Sequence, residues 1–379
     1  MAFAAVWQAV MLARASDTIG TNLLWTVTTN LHGSGVRVAQ VETEFSTSTD
    51  WEVNPGAAGV GQPTNLFTYF NGSSSTSFPN ALGTESGHAD WVAGFFYGLP
   101  GGIATNVAHV DNYEATYFVT IVVPYRMAIN GDRVVNQSFV GDTNTTSQQT
   151  YDSTYDAFAA QYNTLFVSGV GNDDLTVNGG AVSPPSTCYN GIGVAAYGTN
   201  SYSSVGPTPD NGRAKPDITD SGPATGVETS ITTPQVAGAA ALLLQAGLRG
   251  DGGSDTNSAA DMRTLKALLL NGAIKPADWT TTNSSPLDYR YGAGVLNVFN
   301  SCEQLTGGKH GYIVSTSVAT NSPHPPTGAT GTVSVLSGWD FNTNSSSATT
   351  MGMNHYYFDV TNSVSNATFT ATATLVWNR

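Results

Sequence analysis

Residues Thr229–Leu244 read T-S-I-T-T-P-Q-V-A-G-A-A-A-L-L-L, and after the first serine the stretch is mostly apolar or small. A helix without a polar face has to be buried on all sides, so this stretch predicts a core helix. Pro234 lies one turn after Ser230, where its missing N–H does little damage. Ser230 would therefore lie among free backbone donors at the positive end of the helix, which suits a nucleophile beside a developing oxyanion. The simpler interpretation is a serine N-cap.

The same stretch resembles the nucleophile motif of the subtilases, the subtilisin-like serine peptidases, G-T-S-x-x-[TS]-P-x-V-A-G. The match runs over 229–238 and implies that Ser230 is the nucleophile of peptide hydrolysis. Glu228 stands where the family has glycine, and such a charge beside the nucleophile alters the local turn or the groove. This departure keeps one alternative open, a catalytically inactive subtilase-like binding or structural module.

A second motif follows the glycine turn at Gly33, where residues 33–45 read G-S-G-V-R-V-A-Q-V-E-T-E-F. The run is mostly apolar on both faces, as in a central parallel strand. Subtilases have the same strand ending in D-T-G, and its aspartate orients the catalytic histidine. The resemblance places Glu42 at that aspartate and Glu44 at the glycine, and glutamate serves in some hydrolase triads. Read without the resemblance, these are two solvated acids at a strand end.

The third motif, G-H-A-D-W-V-A-G at 87–94, resembles the subtilase sequence H-G-T-H-V-A-G. The resemblance makes His88 the general base, with Asp90 in place of the family's threonine and Trp91 in place of its second histidine. A lone histidine is more often a surface or core residue, but this one precedes V-A-G at the family's spacing.

The oxyanion donor and the substrate groove are implied by two further strands. Residues 165–173 run from an apolar strand into G-V-G-N-D, which resembles the family's A-x-G-N and makes Asn172 the side-chain donor to the oxyanion. The alternative is an ordinary turn asparagine. Residues 133–139, R-V-V-N-Q-S-F, resemble the family strand V-I-N-x-S-[LFW]-G, which pairs with the backbone of the substrate. The groove residues implied in this way are Ser138, Phe139, Val140, Gly169, Val170 and Gly171.

Other segments in the family's order extend the resemblance to about residues 30–300, among them 187–198, 203–218 and the closing Y-G-A-G-V-L-N of 291–297. The resemblance implies an α/β fold with a mostly parallel central sheet and helices on both faces. Residues 1–30 are expected to form an N-terminal arm and 31–305 the peptidase domain. In 306–379, four alternating polar and apolar segments predict an antiparallel, sandwich-like β region that ends in a strong strand at 368–377. Four strands are few for a closed sandwich, so an incomplete one is an open alternative.

Composition restricts the partners. The chain has 27 acidic and 13 basic residues and a formal net charge of −14, which argues against nucleic acid or an anionic membrane as partner. Protein or peptide substrates, a monomer and a secreted, extracellular location are expected. The two cysteines, Cys188 and Cys302, are too few for a disulfide scaffold, and either a pair or two buried thiols fits.

No cofactor is expected for catalysis. The acidic loops offer oxygen ligands for a structural calcium ion, although no stretch has the spacing of a known calcium loop. A weaker alternative is an acid-acting peptidase of the sedolisin type, favoured by Glu85 and the acidic composition. The presence of His88 in its own motif and of Asn172, rather than aspartate, at the oxyanion position argues against it.

Overall fold

The computed structural model describes residues 19–141, 144–173, 180–198, 201–222, 228–282, 285–311, 313–314, 337–343, 354–356 and 370–379. Its centre is an eight-stranded sheet with the order β10-β9-β8-β7-β1-β6-β3-β4. These strands are β1 (Arg37–Glu42), β3 (Phe67–Asn71), β4 (Ser73–Ser75), β6 (His109–Glu114), β7 (Val134–Gln137), β8 (Leu165–Gly169), β9 (Ile192–Tyr197) and β10 (Ile218–Ser221). Two smaller two-stranded sheets consist of β2 (Asp50–Glu52) with β5 (Thr84–Glu85) and of β11 (Ile313–Val314) with β12 (Asn354–His355).

Every neighbouring pair in the large sheet is parallel except the β3–β4 hairpin. Strand β1 lies between β6 and β7, and all of its residues after Arg37 are buried. Both of its faces are covered, which explains why its sequence is mostly apolar without alternation. The mostly parallel α/β fold expected from the sequence is therefore confirmed.

The helices are α1 (Thr21–Val27), α2 (Gly87–Phe96), α3 (Ala115–Tyr117), α4 (Thr145–Tyr162), α5 (Thr229–Arg249), α6 (Thr256–Ala259), α7 (Met262–Gly272) and α8 (Val298–Thr306). A 3₁₀ turn covers Thr64–Leu66 and a π-helical turn covers Phe118–Val122. Asp261 begins α7 by accepting a hydrogen bond from the backbone N–H of Arg263, and this cap separates α7 from α6.

Helices cover both faces of the sheet, as strand β8 demonstrates. The ring of Phe166 contacts Tyr155 and Phe158 of α4, with ring centroids 4.7 and 5.6 Å apart. A Cβ placed on Gly169 would instead lie 3.0 Å from the Thr229 hydroxyl of α5. Because successive strand residues point to opposite faces, Phe166 and Gly169 face opposite sides, and α4 and α5 lie on opposite faces of the sheet.

Helix α5 is the core helix that its sequence predicts. Every residue from Thr229 to Gly247 is buried, and the helix packs against α2 and the strands β7, β8, β9 and β10. Its length and mean hydropathy of 1.2 would also suit a membrane span, but 94 % of that window is buried inside the protein. The helix ends at Gly250, whose φ of 88° is left-handed.

The two ends of the described chain both contact the core around the large sheet. Helix α1 packs on α8, and the N–H of Val298 donates to the carbonyl of Ile19. Most of the predicted C-terminal β region lies outside the described residues, apart from the antiparallel pair β11–β12. The expected strand at 368–377 is not found in its described part, 370–377. Residues 370–379 pair with no described strand and contact the core through Thr374 and Arg379.

Cys188 and Cys302 are separate buried thiols. Burial raises the pKa of each thiol to about 12. Neither is therefore a reactive thiolate at neutral pH.

Candidate active site

A cavity of about 1120 Å³ opens where the carboxyl ends of β1, β7 and β8 meet the starts of α2 and α5. This edge is where parallel α/β sheets bind their ligands, because the loops there converge from several strands. The residues that line it are Thr43, Phe45, Ala57, Ala58, Glu85, Gly87, His88, Asp90, Trp91, Ser138, Phe139, Val140, Gly169, Gly171, Asn172, Asp173, Glu228, Thr229 and Ser230.

An acid–histidine pair forms one wall of the cavity. His88 lies in the first turn of α2, which Ser86 caps by accepting a hydrogen bond from the N–H of Ala89. The Nδ1 atom of His88 is 2.8 Å from Oε2 of Glu42, the last residue of β1. The side chain of Glu42 is 1 % exposed and that of His88 is 10 % exposed. The opposite ring nitrogen of His88, Nε2, makes no hydrogen bond within the described part of the chain, so it remains available for proton transfer.

The second oxygen of Glu42 is also fixed. Its Oε1 accepts a hydrogen bond of 2.8 Å from Nε2 of Gln40, and the same amide nitrogen donates to the carbonyl of Ala89. The hydroxyl of the buried Tyr97 donates to Oε1 of Gln40 over 2.6 Å. Strand β1 thus supplies Gln40 and Glu42 on one face, two residues apart, and α2 with its C-cap residue Tyr97 supplies the groups that hold them.

Ser230 lies at the second position of α5 and is 8 % exposed. Its Oγ donates to the carbonyl of Ser138 over 3.5 Å, and the Oγ of Ser138 donates to the carbonyl of Ser230 over the same distance. These bonds are long and hold the hydroxyl weakly. The end of β7 is thereby attached to the start of α5, with Ser230 and His88 facing the same cavity.

Asn172 follows β8 and reaches the same helix start. Its Oδ1 accepts hydrogen bonds from the backbone N–H of Thr229 over 2.8 Å and from the Thr229 hydroxyl over 3.0 Å. Asn172 therefore caps α5 from another segment, while Glu228, at the N-cap position, makes no side-chain cap bond. Because Oδ1 is occupied, the polar group left on the amide is the Nδ2 donor, and Asn172 lines the same cavity as Ser230.

Two glycines permit this approach of β8 to α5. A side chain at Gly169 would press on the Thr229 and Thr233 hydroxyls, 3.0 and 3.1 Å from its Cβ. Gly171 has a φ of +108°, which L side chains rarely adopt. The G-x-G spacing before Asn172 is thus required by close packing and by the turn.

The model of the subtilase family matches residues 33–294. The chain belongs to the subtilase family. It is accordingly a serine peptidase, a hydrolase whose substrates are proteins or peptides.

Two solved structures similar to this subtilase are maturation proteases. The structure of the prenylagaramide maturation protease PagA has a TM-score of 0.52 at 20 % identity, over 76 % of this chain and 99 % of that one. A mutant of the protease domain of PatA has a TM-score of 0.50 at 21 % identity, over 73 % of this chain and 98 % of that one. At these identities the likeness shows the shared fold alone. No curated protein matches the chain.

The cavity of this subtilase carries acidic side chains that its sequence motifs left unexplained. Asp90 accepts a hydrogen bond of 2.6 Å from the backbone N–H of Asn54. Burial, with the hydrogen bond and charge of Glu85, raises the pKa of Asp90 to about 8. Glu85 is thus paired with Asp90 and not with His88. Among the described residues that line the cavity there is no lysine or arginine.

The acids around His88 set its protonation. Burial by itself lowers the pKa of the imidazole, but the charge and hydrogen bond of Glu42 and the charge of Glu228 outweigh it, so the pKa lies above its usual 6.5. Glu228, the residue that replaces the family's glycine, therefore acts on the histidine across the cavity. The charge of Glu228 raises the pKa of His88 through space, and the sequence motif around Glu228 did not predict this interaction.

The other groove residues expected from the sequence are mostly brought together. Ser138, Phe139, Val140, Gly169 and Gly171 line the cavity. The side chain of Val170 does not line it, being fully buried in a cluster with Val182 and Ala195. It alternates with its two glycine neighbours and so points into the protein.

Sequence reasoning missed Gln40, Tyr97 and Phe45. Gln40 could have been found, because it precedes Glu42 by two residues and shares its face of the strand. The contribution of Tyr97 depends on how α2 packs on β1, and no local pattern encodes that contact.

Proposed function

We propose that this subtilase is a serine endopeptidase that works through an acyl-enzyme, with a Ser230–His88–Glu42 triad and Asn172 as oxyanion donor. The observation that carries this proposal is the 2.8 Å bond between His88 Nδ1 and Glu42, with Nε2 left free on a cavity that Ser230 also lines. The bond fixes the tautomer in which Nε2 is the base.

The reaction would proceed in two steps. His88 Nε2 takes the proton of Ser230 Oγ as the oxygen bonds to the scissile carbonyl carbon, and the carbonyl oxygen becomes the oxyanion. The amide of Asn172 and the backbone N–H of Ser230 stabilise that charge. The imidazolium then gives its proton to the leaving amine as the C–N bond breaks, which leaves an acyl group on Ser230. Water, activated by the same histidine, releases the acid and restores the serine.

The substrate would lie along Ser138, Phe139 and Val140 as an additional strand, with Gly169 and Gly171 opposite. The cavity wall has the carboxyl groups of Glu85, Asp173 and Glu228 and, among the described residues, no lysine or arginine. Peptides with basic residues should therefore be cleaved faster than acidic ones, and added salt should weaken that preference.

The decisive experiment is labelling with a serine-directed fluorophosphonate, followed by mass spectrometry of the labelled peptide. Modification at Ser230 that is lost in Ser230→Ala and strongly slowed in His88→Ala supports the proposal. A folded protein that stays unlabelled would instead support the inactive binding or structural module.

The pH–rate profile separates the histidine mechanism from the acid-acting one. A histidine base with a raised pKa loses activity as pH falls through that pKa, which here lies above the usual 6.5. A carboxylate base would stay active in acid, so full activity at about pH 4 would exclude His88 as the base.

Three expectations belong to the same proposal. We expect the enzyme to act outside the cell, in keeping with its acidic charge and its 11 % content of charged residues; fractionation of culture medium and cells tests this. We expect a monomer, which light scattering tests. A structural calcium ion would show as a fall in Tm on chelation, although the described residues contain no cluster of three or more metal-ligating acids, histidines or cysteines.

A further inference from the structure

Phe45 is a large apolar side chain that is 66 % exposed, and it lines the cavity three residues after Glu42. Its ring lies nearly parallel to the imidazole of His88, with centroids 5.1 Å apart and planes 16° from each other. This geometry is that of an offset stack. Exposure at this level does not serve the core, so the contact with His88 is the feature that accounts for the position of the ring.

The loop that carries Phe45 is fixed by one carboxylate. Oδ1 of Asp50 accepts hydrogen bonds from the backbone N–H of Phe45 over 3.0 Å and of Thr47 over 2.9 Å. Oδ2 of Asp50 accepts one from the N–H of Ser46 over 2.8 Å. Three charge-assisted bonds to consecutive amides give the loop one conformation. Asp50 is itself buried in β2, so a buried residue fixes the loop that carries the exposed ring of Phe45.

The stack adds a constraint that Glu42 does not supply. The hydrogen bond between Nδ1 and Glu42 fixes one atom of the imidazole within the plane of that ring. The parallel ring of Phe45, which lies against one face of the imidazole, resists tilting of the imidazole plane. A π face next to the imidazole also stabilises the imidazolium cation that forms during proton transfer.

We propose that Phe45 is a positioning residue for His88, held by Asp50, that keeps Nε2 aimed at the nucleophile and stabilises the protonated ring. The proposal rests on the proposed function, in which His88 is the base. It concerns the turnover step more than the binding of substrate, because the group that Phe45 touches is the proton carrier.

The test compares Phe45→Ala, Phe45→Leu and Phe45→Tyr by steady-state kinetics on a short peptide amide and by the rate of fluorophosphonate labelling. Loss of the aromatic face should lower kcat and the labelling rate by about 3- to 30-fold in the alanine and leucine variants. The tyrosine variant should remain within about twofold of wild type, and KM should change little in all three. Tyr125→Ala removes another exposed aromatic that does not line the cavity, and it should change nothing.

Asp50→Asn provides an independent arm, because it loosens the loop while keeping the ring. It should lower kcat in the same direction as Phe45→Ala. Full turnover in Phe45→Leu, or a change in KM alone, would mean that Phe45 is only a wall of the groove and would overturn the proposal.

A readout without turnover separates this proposal from the proposed function. In the Ser230→Ala protein, the ring current of Phe45 should shift the Cε1–H proton resonance of His88 upfield, and Phe45→Ala should remove that shift. If the wild-type enzyme is not labelled but the resonance moves, the proposed function fails while the stack stands. If the resonance does not move, the stack itself is refuted.

Discussion

Replacing Glu42 tests the candidate site most sharply, because the geometry fixes how far the carboxylate can reach. Glu42→Asp removes one methylene and withdraws the carboxylate by about 1.5 Å. The present 2.8 Å between Oε2 and His88 Nδ1 would become about 4 Å, beyond any hydrogen bond. Movement of the backbone cannot close the gap, because β1 is paired in register with β6 on one side and β7 on the other.

The expected losses follow from what each variant removes. Glu42→Asp keeps a charge near the histidine but loses a charge-assisted hydrogen bond, so kcat/KM should fall by about 10- to 150-fold. Glu42→Gln keeps the shape but stabilises the wrong tautomer, which costs about 10⁴-fold in a comparable triad. The assay is kcat/KM on a peptide amide, with the labelling rate at Ser230 as a second measure and Tm to verify folding.

Glu44→Gln is the matched control, since Glu44 is the exposed acid two residues further along the chain. It should stay within about twofold of wild type. Near-native turnover in Glu42→Gln, or a large loss in Glu44→Gln, would show that Glu42 is not the third member of the triad.

Three further substitutions test other parts of the site and fold. Asn172→Asp keeps the oxygen that accepts from the N–H of Thr229 but removes the amide donor. The value of kcat should therefore fall by about 10²- to 10³-fold with Tm nearly unchanged. An unaltered kcat would exclude Asn172 as oxyanion donor. Glu228→Gln removes one charge that raises the pKa of His88, so the acid limb of the pH–rate profile should move to lower pH. A shift of that limb to higher pH would show that the charge of Glu228 does not raise the pKa of His88. Burial raises the pKa of Asp220 to about 8 from the usual 3.8. Between these two pH values the folded protein keeps a proton on Asp220 that the unfolded chain releases, so the free energy of unfolding falls as the pH rises. Asp220→Asn should therefore raise Tm at about pH 8 and have little effect at about pH 4, and an equal shift at both would refute this reasoning.

The sequence was sufficient where function depends on a local pattern. The core helix after Ser230 was predictable because its side chains are apolar or small on all faces, and such a helix is stable only when buried. The end of β1 at Glu42 was predictable because an apolar run changes to acids there. Asn172 was named through the resemblance of G-V-G-N to the family motif, and Gly171 of that motif has the left-handed φ that favours glycine.

The local sequence pattern did not predict the secondary structure of segments whose conformation depends on contacts with other segments. The alternation at 368–377 predicts a strand, yet its described residues 370–377 pair with no described strand, and pairing depends on residues elsewhere in the chain. Helices α6 and α7 are likewise separate because the side chain of Asp261 caps the start of α7.

Contacts across the cavity were decided by tertiary structure alone. The sequence named Glu42 and His88 through family motifs, but the 2.8 Å bond between them depends on the packing of α2 against β1. The stack of Phe45 on His88 and the effect of Glu228 on the histidine pKa join residues far apart in the chain. Distance and burial set the strength of such interactions, and both are properties of the folded chain that no run of neighbouring residues encodes.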